Sequence, residues 1–325
     1  EGTLATLSYR NSDEALGADA EYEQILLEEN AKHGDIGFFI FLHNRLVGPY
    51  IGELGTEEQK QKYLTRIAKD TVGAYALSEA GSGSDAFALA CRGEQDGDDW
   101  VLNGQKLWIT NGAEAGLFII FANANPEAGY KGITAFVIDV DTPGFTVGKK
   151  EDKLGIRASA TCEIELENYR CPVEDRIGAE GEGMKIAFGV LDAGRIGIAA
   201  QSIGVAQAAL DAAIKYAKQR AQFGQKISKF QGLRWMIADM ATEIEAARLM
   251  TFAAAEMKDR GENYTAQASM AKLFASEMVN RTTAKALQMH GGYGFTKEYP
   301  VERFYRDARV FTIYEGTSEI QRVVI

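Results

Sequence analysis

The sequence predicts an α+β protein: short helices first, a small all-β region second, and a bundle of longer helices last. Three observations predict it. The five prolines are Pro49, Pro126, Pro143, Pro172 and Pro300, leaving a long proline-free stretch after Pro172. An interior proline costs a helix about 3 kcal/mol, so that stretch is where long helices are permitted. Within it Phe230, Leu233, Ile237, Met240 and Ile244 recur at spacings of three and four, the period of an amphipathic helix. The middle of the chain differs, with short apolar or alternating runs cut by Gly, Pro and Asp.

In chain order, the first 70 residues carry two helical stretches, one through Tyr22-Glu23-Gln24-Ile25-Leu26-Leu27 and one over 57–68. The β region runs from about 72 to 176. Inside it Trp100-Val101-Leu102, Asn103-Gly104 and Leu107-Trp108-Ile109 predict a hairpin, because Asn-Gly supplies the positive φ of a tight turn. Further strands are expected over 117–122, 132–140 and 161–166. Helices follow over 184–220, 231 to about 257, and 266–289, the second roughly 40 Å long at 1.5 Å per residue. They predict a bundle. The expected domains are 1–71, 72–176 and 177–325.

Composition narrows the function classes. Apolar residues make up 46% of the 325 and charged residues 25%, which excludes a disordered chain. A chain this long buries about three quarters of its unfolded surface, so its core needs neither disulfides nor metal. The net charge of -11 argues against nucleic acid or an anionic membrane as the main partner. Cys91, Cys162 and Cys171 form no CxxC pair, and His33, His43 and His290 stand in no ligand spacing, so no metal site is expected. No run approaches the roughly 20 apolar residues of a membrane span, the stretch 36–42 being far too short. Glu1-Gly2-Thr3-Leu4 lacks the layout of a signal peptide. The chain lacks an initiator Met and stops at Ile325 inside an apparent helix, which reads as a trimmed piece. A reducing, soluble compartment is the expectation.

The familiar nucleotide and nucleophile motifs are absent. There is no GxGxxG opening a helix after a strand, no GxxxxGK[ST] and no GxSxG. What stands out instead is weak singly. Gly81-Ser82-Gly83-Ser84-Asp85 would let backbone N–H groups approach an anion or flat ring, yet alone it reads as a surface turn. Gly291-Gly292-Tyr293-Gly294 after Gln288 reads as a helix end. Trp108-Ile109-Thr110-Asn111-Gly112 puts an aromatic beside a hydroxyl at a strand end. Asp192 and Arg195 lie three apart on one helical face, as an ordinary ion pair would.

Together, and in order, these runs resemble the acyl-CoA dehydrogenases, flavoenzymes with an α–β–α subunit. The resemblance extends from about 47 to 325. It rests on Tyr75-Ala76-Leu77-Ser78-Glu79-Ala80-Gly81-Ser82-Gly83-Ser84-Asp85, Trp108-Ile109-Thr110-Asn111 and Arg220-Ala221-Gln222-Phe223-Gly224. Gln288-Met289-His290-Gly291-Gly292-Tyr293-Gly294 and Ile313-Tyr314-Glu315-Gly316-Thr317-Ser318-Glu319-Ile320-Gln321 complete it. It implies an N-terminal helical domain, a middle β-barrel-like domain and a C-terminal four-helix bundle. The first 45 residues match poorly, and nothing is carried over to them. Gln105-Lys106-Leu107 and Ser78-Glu79-Ala80 depart from the commoner family wording, at positions expected to bind through backbone.

The resemblance also implies roles. Tyr75, Leu77, Ser78, Gly83 and Ser84 would lie along FAD, with Ser84 also facing the CoA moiety. Trp108, Ile109 and Thr110 would flank the isoalloxazine. Arg220, with Gln222 and Phe223, would meet the FAD pyrophosphate of a neighbouring subunit, Gln231, Gln288, Gly291 and Gly292 would complete that site, and Thr317 and Glu319 would close over the cofactor. Tyr130, Met184, Asp192, Arg195 and Gly316 would contact the acyl-CoA. Glu315 would take the α-proton, hydride would leave the β-carbon for flavin N5, and a trans-2-enoyl-CoA would result. Relatives that place their base just before the arginine have Gly194 at that position here, so Glu315 has no rival.

Tyr130-Lys131-Gly132-Ile133-Thr134 and the run 77–89 are closest to the short/branched-chain subgroup, implying a short or 2-methyl-branched substrate. The expected acceptor is an electron-transfer flavoprotein and the expected assembly a homotetramer, a dimer of dimers. The compartment would be the cytoplasm in a bacterium and the mitochondrial matrix in a eukaryote. An oxygen-using acyl-CoA oxidase and a catalytically silent flavin-binding scaffold are the alternatives.

Overall fold

The computed structural model describes residues 19–33, 36 and 46–325. His43, the chain start and all of the apolar run 36–42 except Ile36 lie outside them. The chain divides into two compact units, whose described parts are 46–152 with 157–194, and 19–33, 36 and 153–156 with 195–325. The first helical segment thus groups with the C-terminal helices, and the residues after 46 group with the strands.

Helices α1 (Ala20–Lys32) and α2 (Gly48–Leu54) come first, then α3 over 57–69, whose middle turn Lys60–Leu64 is π-helical. Pro49 sits in the first turn of α2, where its missing N–H costs nothing. Thr56 and Gln59 start α3 with a reciprocal capping box. Gln59 Nε2 then donates to the carbonyls of Glu174 (2.6 Å) and Arg176 (2.8 Å), tying α3 to the sheet.

The strands are β1 (Gly73–Ala76), β2 (Arg92–Asp96), β3 (Asp99–Thr110), β4 (Leu117–Asn123), β5 (Ile133–Asp139), β6 (Phe145–Lys150), β7 (Thr161–Pro172) and β8 (Arg176–Ile177). They form one sheet in the order β6-β7-β3-β2-β4-β5-β8, with β1 parallel to β4. β4 is buried on both faces, as its unbroken run Leu117-Phe118-Ile119-Ile120-Phe121-Ala122 requires. Its even-numbered side chains join Trp100, Leu102, Phe136 and Ile164 in the core.

The expected hairpin at Asn103-Gly104 is not a turn. β3 runs straight through it, and the hairpin closes earlier, at Gly97-Asp98 between the paired Asp96 and Asp99. Gly97 has φ +64°, so the loop Gly97-Asp98 has its glycine at the first central position, where a two-residue hairpin turn needs positive φ. At Gly104 the β3–β7 register slips instead, and a Cβ there would lie 2.7 Å from Cys91 Cα. This glycine serves a bulge and a close backbone approach.

In the second unit, α4 (Gly183–Gln219, of which 195–219 belong here), α5 (Gln231–Asp259) and α6 (Thr265–His290) are long helices of 37, 29 and 26 residues. α7 (Val301–Ala308) and α8 (Ser318–Val324) pack on α6. A short hairpin, β9 (Ala221–Gln222) with β10 (Gln225–Lys226), links α4 to α5. α1 joins these helices through Arg248–Glu28 (2.6 Å) and Asp259, which accepts the Ala20 N–H at 2.9 Å. It lies so close to α4 that a Cβ on Gly204 would meet the Glu28 carbonyl at 2.2 Å. α4 is, by length and composition, apolar enough to cross a membrane, which corrects the expectation that no run is; 72% of its most apolar stretch is buried within the fold, as for a core helix.

Candidate active site

In the first unit the site begins with a lysine inside the sheet. Lys106 is fully buried on β3, where its three N–H donors reach Glu79 (2.7 Å), the Phe121 carbonyl (2.6 Å) and the Leu77 carbonyl (3.2 Å). Glu79 in turn accepts the Ala90 N–H at 2.6 Å and the Cys91 N–H at 3.2 Å. Burying two charges costs several kcal/mol each unless every donor and lone pair finds a partner, and here they do. The result is a rigid base for the loop 77–91. Leu107 N–H donates to the Ser78 carbonyl, and Glu79 and Ser82 exchange backbone hydrogen bonds, so the loop is a fixed turn. On it Gly81 and Gly83 face open space and Ser84 is exposed.

The same strand presents an aromatic ring outward. Strict alternation would put Trp108 on the face of Lys106, but a register slip between Lys106 and Ile109 re-aims it. Trp108 has φ +63° and is 62% exposed, while Ile109 packs into the core. Ile109 can therefore meet a ring on the outer face only through its backbone. The Thr110 hydroxyl makes no hydrogen bond among the described residues. Tyr75, on β1, stacks on Tyr50 at 5.6 Å. Tyr130 gathers with two rings to which the sequence reading gave no role: Phe87 lies 5.4 Å from Tyr130 and 5.7 Å from Phe188. Met184 is buried in the first turn of α4, and Asp192 is half-buried on it.

In the second unit Glu315 sits in a tight turn before α8. Glu315 has φ +50° and Gly316 φ +87°, a conformation natural to glycine and strained for glutamate. Three hydrogen bonds hold it. Gln321 Nε2 donates to the carbonyls of Glu315 (3.1 Å) and Gly316 (3.0 Å), and Lys272 Nζ donates to the Gly316 carbonyl at 2.7 Å. Thr317 caps α8 by accepting the Ile320 N–H, and Glu319 is exposed in that helix's first turn. Glu315 Oε2 is sealed from solvent and has no hydrogen-bond partner among the described residues. Burial pushes this carboxyl up to about 8, against the opposing pull of Lys272 and Arg195. Arg195 is buried, and its Nη1 donates to Ser269 Oγ at 3.2 Å.

A second station of this unit suits phosphate. The hairpin β9–β10 turns at Phe223-Gly224, both with positive φ, and leaves Phe223 exposed beside Gln222. Arg220 lies over the Tyr293 ring at 5.5 Å, and no carboxylate pairs with it among the described residues. Gly291 ends α6 at φ +60°, Gly291 and Gly292 face open space, and Gln288 and Gln231 are exposed.

Sequence reasoning missed Glu79, Lys106, Lys272 and Gln321 as well as the two phenylalanines. One signal was available: Lys272 interrupts the stripe Ala268, Ala271, Ala275 and Val279, so a cation lies on a core-facing helical face.

A carboxylic acid starved of partners and titrating just above neutrality is suited to taking a proton from carbon. In the first unit the open glycines, the outward indole and the free hydroxyl of Thr110 leave room for a flat ring. In the second, Arg220 and the open glycines could meet a phosphate group. Residues 4–71, 74–169 and 181–325 match the N-terminal, middle and C-terminal domains of acyl-CoA dehydrogenases. The short/branched chain specific acyl-CoA dehydrogenase, mitochondrial, of Rattus norvegicus is 47% identical over 298 residues, 91% of this chain and 69% of the relative. Butyryl-CoA dehydrogenase from Megasphaera elsdenii superposes with a TM-score of 0.95 at 42% identity, covering 98% of this chain and 85% of that one. A chain from the structure of the electron transferring flavoprotein of Acidaminococcus fermentans does so with 0.95 at 44% identity and the same coverage. The chain belongs to the acyl-CoA dehydrogenase family. It is an FAD-dependent oxidoreductase that acts on the CH–CH bond of an acyl-CoA.

Proposed function

We propose that Glu315 is the base that removes the α-proton, and that the acyl group is short or 2-methyl-branched. The observation that carries the first part is the turn itself: a glutamate in a left-handed conformation, pinned through its backbone, with one carboxylate oxygen sealed and unpartnered. Burial makes that carboxylate a stronger base than an exposed one, narrowing its gap to a carbon acid. The second part is supported by the rat relative and the Megasphaera structure, whose names specify short/branched and butyryl substrates.

The FAD would be held in the first unit by Tyr75, Leu77, Ser78, Gly83, Ser84, Trp108 and Thr110, with Ile109 contributing backbone. Arg220, Gln222, Phe223, Gln231, Gln288, Gly291 and Gly292 would serve its phosphate and nucleotide end on a neighbouring subunit of a homotetramer. Thr317 and Glu319, at the start of α8, would close over the cofactor. Bound there, the flavin supplies the acceptor for the β-hydride. Ser84, Tyr130, Met184, Asp192, Arg195 and Gly316 would position the acyl-CoA. The reducing equivalents would pass to an electron-transfer flavoprotein, in the cytoplasm of a bacterium or the mitochondrial matrix of a eukaryote.

The test is anaerobic titration of the FAD-loaded protein with straight and 2-methyl-branched acyl-CoAs, followed by flavin absorbance. Bleaching by butyryl-CoA or 2-methylbutyryl-CoA and not by long chains is expected. Bleaching by long chains alone would refute the substrate class.

A further inference from the structure

Lys272 lies where a lysine is costly. On α6 it shares a stripe with Ala268, Ala271, Ala275 and Val279, all buried, and is itself fully buried. A buried ammonium needs a carbonyl or a counter-charge to remain there. It finds both in one turn, donating at 2.7 Å to the Gly316 carbonyl with the Glu315 charge beside it. That turn holds a glutamate at φ +50°, which persists only where surrounding contacts over-determine it. Gln321 supplies two of those contacts and Lys272 the third, the one that carries charge.

We propose that Lys272 is a positioning residue for the reaction: its ammonium locks the Gly316 carbonyl, fixes the direction of the Glu315 side chain, and supplies the charge that keeps this carboxylate usable as a base. The proposal rests on the reading of Glu315 as the base. The charged and titratable groups around the pair are Lys272 on α6, Arg195 on α4, Tyr314 next to Glu315, and Glu319 on α8. Arg195, the other cation near Glu315, donates to Ser269 on α6, whereas Lys272 donates to the turn itself. Consistent with a shared field, Lys272 is pushed down to about 8 by burial while the Glu315 charge pulls the other way.

The experiment uses the FAD-loaded protein and acetyl-CoA, which has α-hydrogens and no β-carbon. Exchange of its α-hydrogens for solvent deuterium, read by mass spectrometry across pH 5.5–9.5, reports proton removal without hydride transfer. Lys272→Gln keeps a donor and loses the charge. Its exchange profile is expected to rise at a pH higher by about one unit or more, the effect of losing a nearby opposite charge. Lys272→Arg keeps the charge, so its profile rises where the wild type's does. With butyryl-CoA the Gln variant loses kcat and keeps KM. An unmoved profile in folded Lys272→Gln, or an equal upward shift in Lys272→Arg, would overturn the proposal. If the Gln variant does not fold, the Arg variant decides by the same criterion. Glu315→Gln separates the two ideas, since exchange that survives it refutes the base while leaving the Lys272 profiles readable.

Discussion

Among the described residues the molecule buries a lysine beside a glutamate twice, at Lys106–Glu79 and Lys272–Glu315, and the two sites differ in how fully they are satisfied. In the sheet, Lys106 and Glu79 touch at 2.7 Å, and all the lysine's donors are used. In the bundle, Lys272 reaches a backbone carbonyl, and Glu315 keeps one oxygen sealed with nothing to accept from. Full satisfaction makes a structural pin. Incomplete satisfaction leaves free energy that the carboxyl recovers by holding a proton, which is what a base near neutrality requires. The same residue types thus yield rigidity or reactivity according to how many partners the backbone supplies.

The largest effect expected is on the incomplete site. Glu315→Gln should slow substrate-dependent flavin reduction by about 100- to 10,000-fold, the usual worth of a positioned base, while leaving the unfolding midpoint at pH 7 close to or above wild type. Stopped-flow absorbance and thermal melts check both halves. At the complete site the pattern inverts. Lys106→Met strands Glu79 inside the sheet and should cost about 3–5 kcal/mol in denaturant unfolding. Adding Glu79→Gln should recover much of that loss, because no uncompensated charge remains. A double variant no better than the single one would show that Lys106 acts through packing and not through charge.

How much of this was legible in the sequence follows from the range of the interactions involved. The long helices and β4 were readable because periodicity and unbroken apolar runs are local. The hairpin was misplaced because Asn103-Gly104 and Gly97-Asp98 are both adequate turn signals. The choice between them came from Cys91 lying against Gly104, a contact that local propensity does not contain. At the site, Glu315 and the glycine runs were singled out through motif resemblance, not from physics alone. Glu79 and Lys106 lay inside quoted stretches that were expected to bind only through backbone. Their pairing joins a loop residue to a strand residue 27 positions later, and the register slip after Lys106 turns the next aromatic, Trp108, outward. Lys272 and Gln321 were missed because their partners are backbone carbonyls that only the turn brings within reach.

A smaller effect concerns pH and stability. Glu315 is raised in the folded protein from 4.5 to about 8, so between those values the native state holds a proton that the unfolded state has lost. Stability contributed by this group therefore falls as pH rises from about 4.5 to 8. Lys272 is lowered from 10.5 to about 8, so above 8 the unfolded state holds the extra proton and stability recovers. Melts across pH 5–8 should show a shallower decline in Glu315→Gln than in wild type. Identical slopes would mean that the sealed oxygen is solvated in solution, and the contrast with Glu79 would collapse.

The smallest effect separates the turn from the helix that follows it. Thr317 accepts the Ile320 N–H at 3.3 Å and so caps α8, while Gln321, one turn later, pins the Glu315 and Gly316 carbonyls. Thr317→Ala removes the cap at a cost of about 1 kcal/mol. If α8 is held mainly by its packing on α6, that loss appears in the unfolding midpoint and hardly in the rate of flavin reduction, because Gln321 stays in register. If the cap itself sets the start of α8, Gln321 shifts and the rate falls by more than the stability change implies. Thr317→Ser restores the hydroxyl and should return both quantities to wild type. A rate loss that serine does not rescue would assign the methyl group, not the cap, to the support of the Glu315 turn.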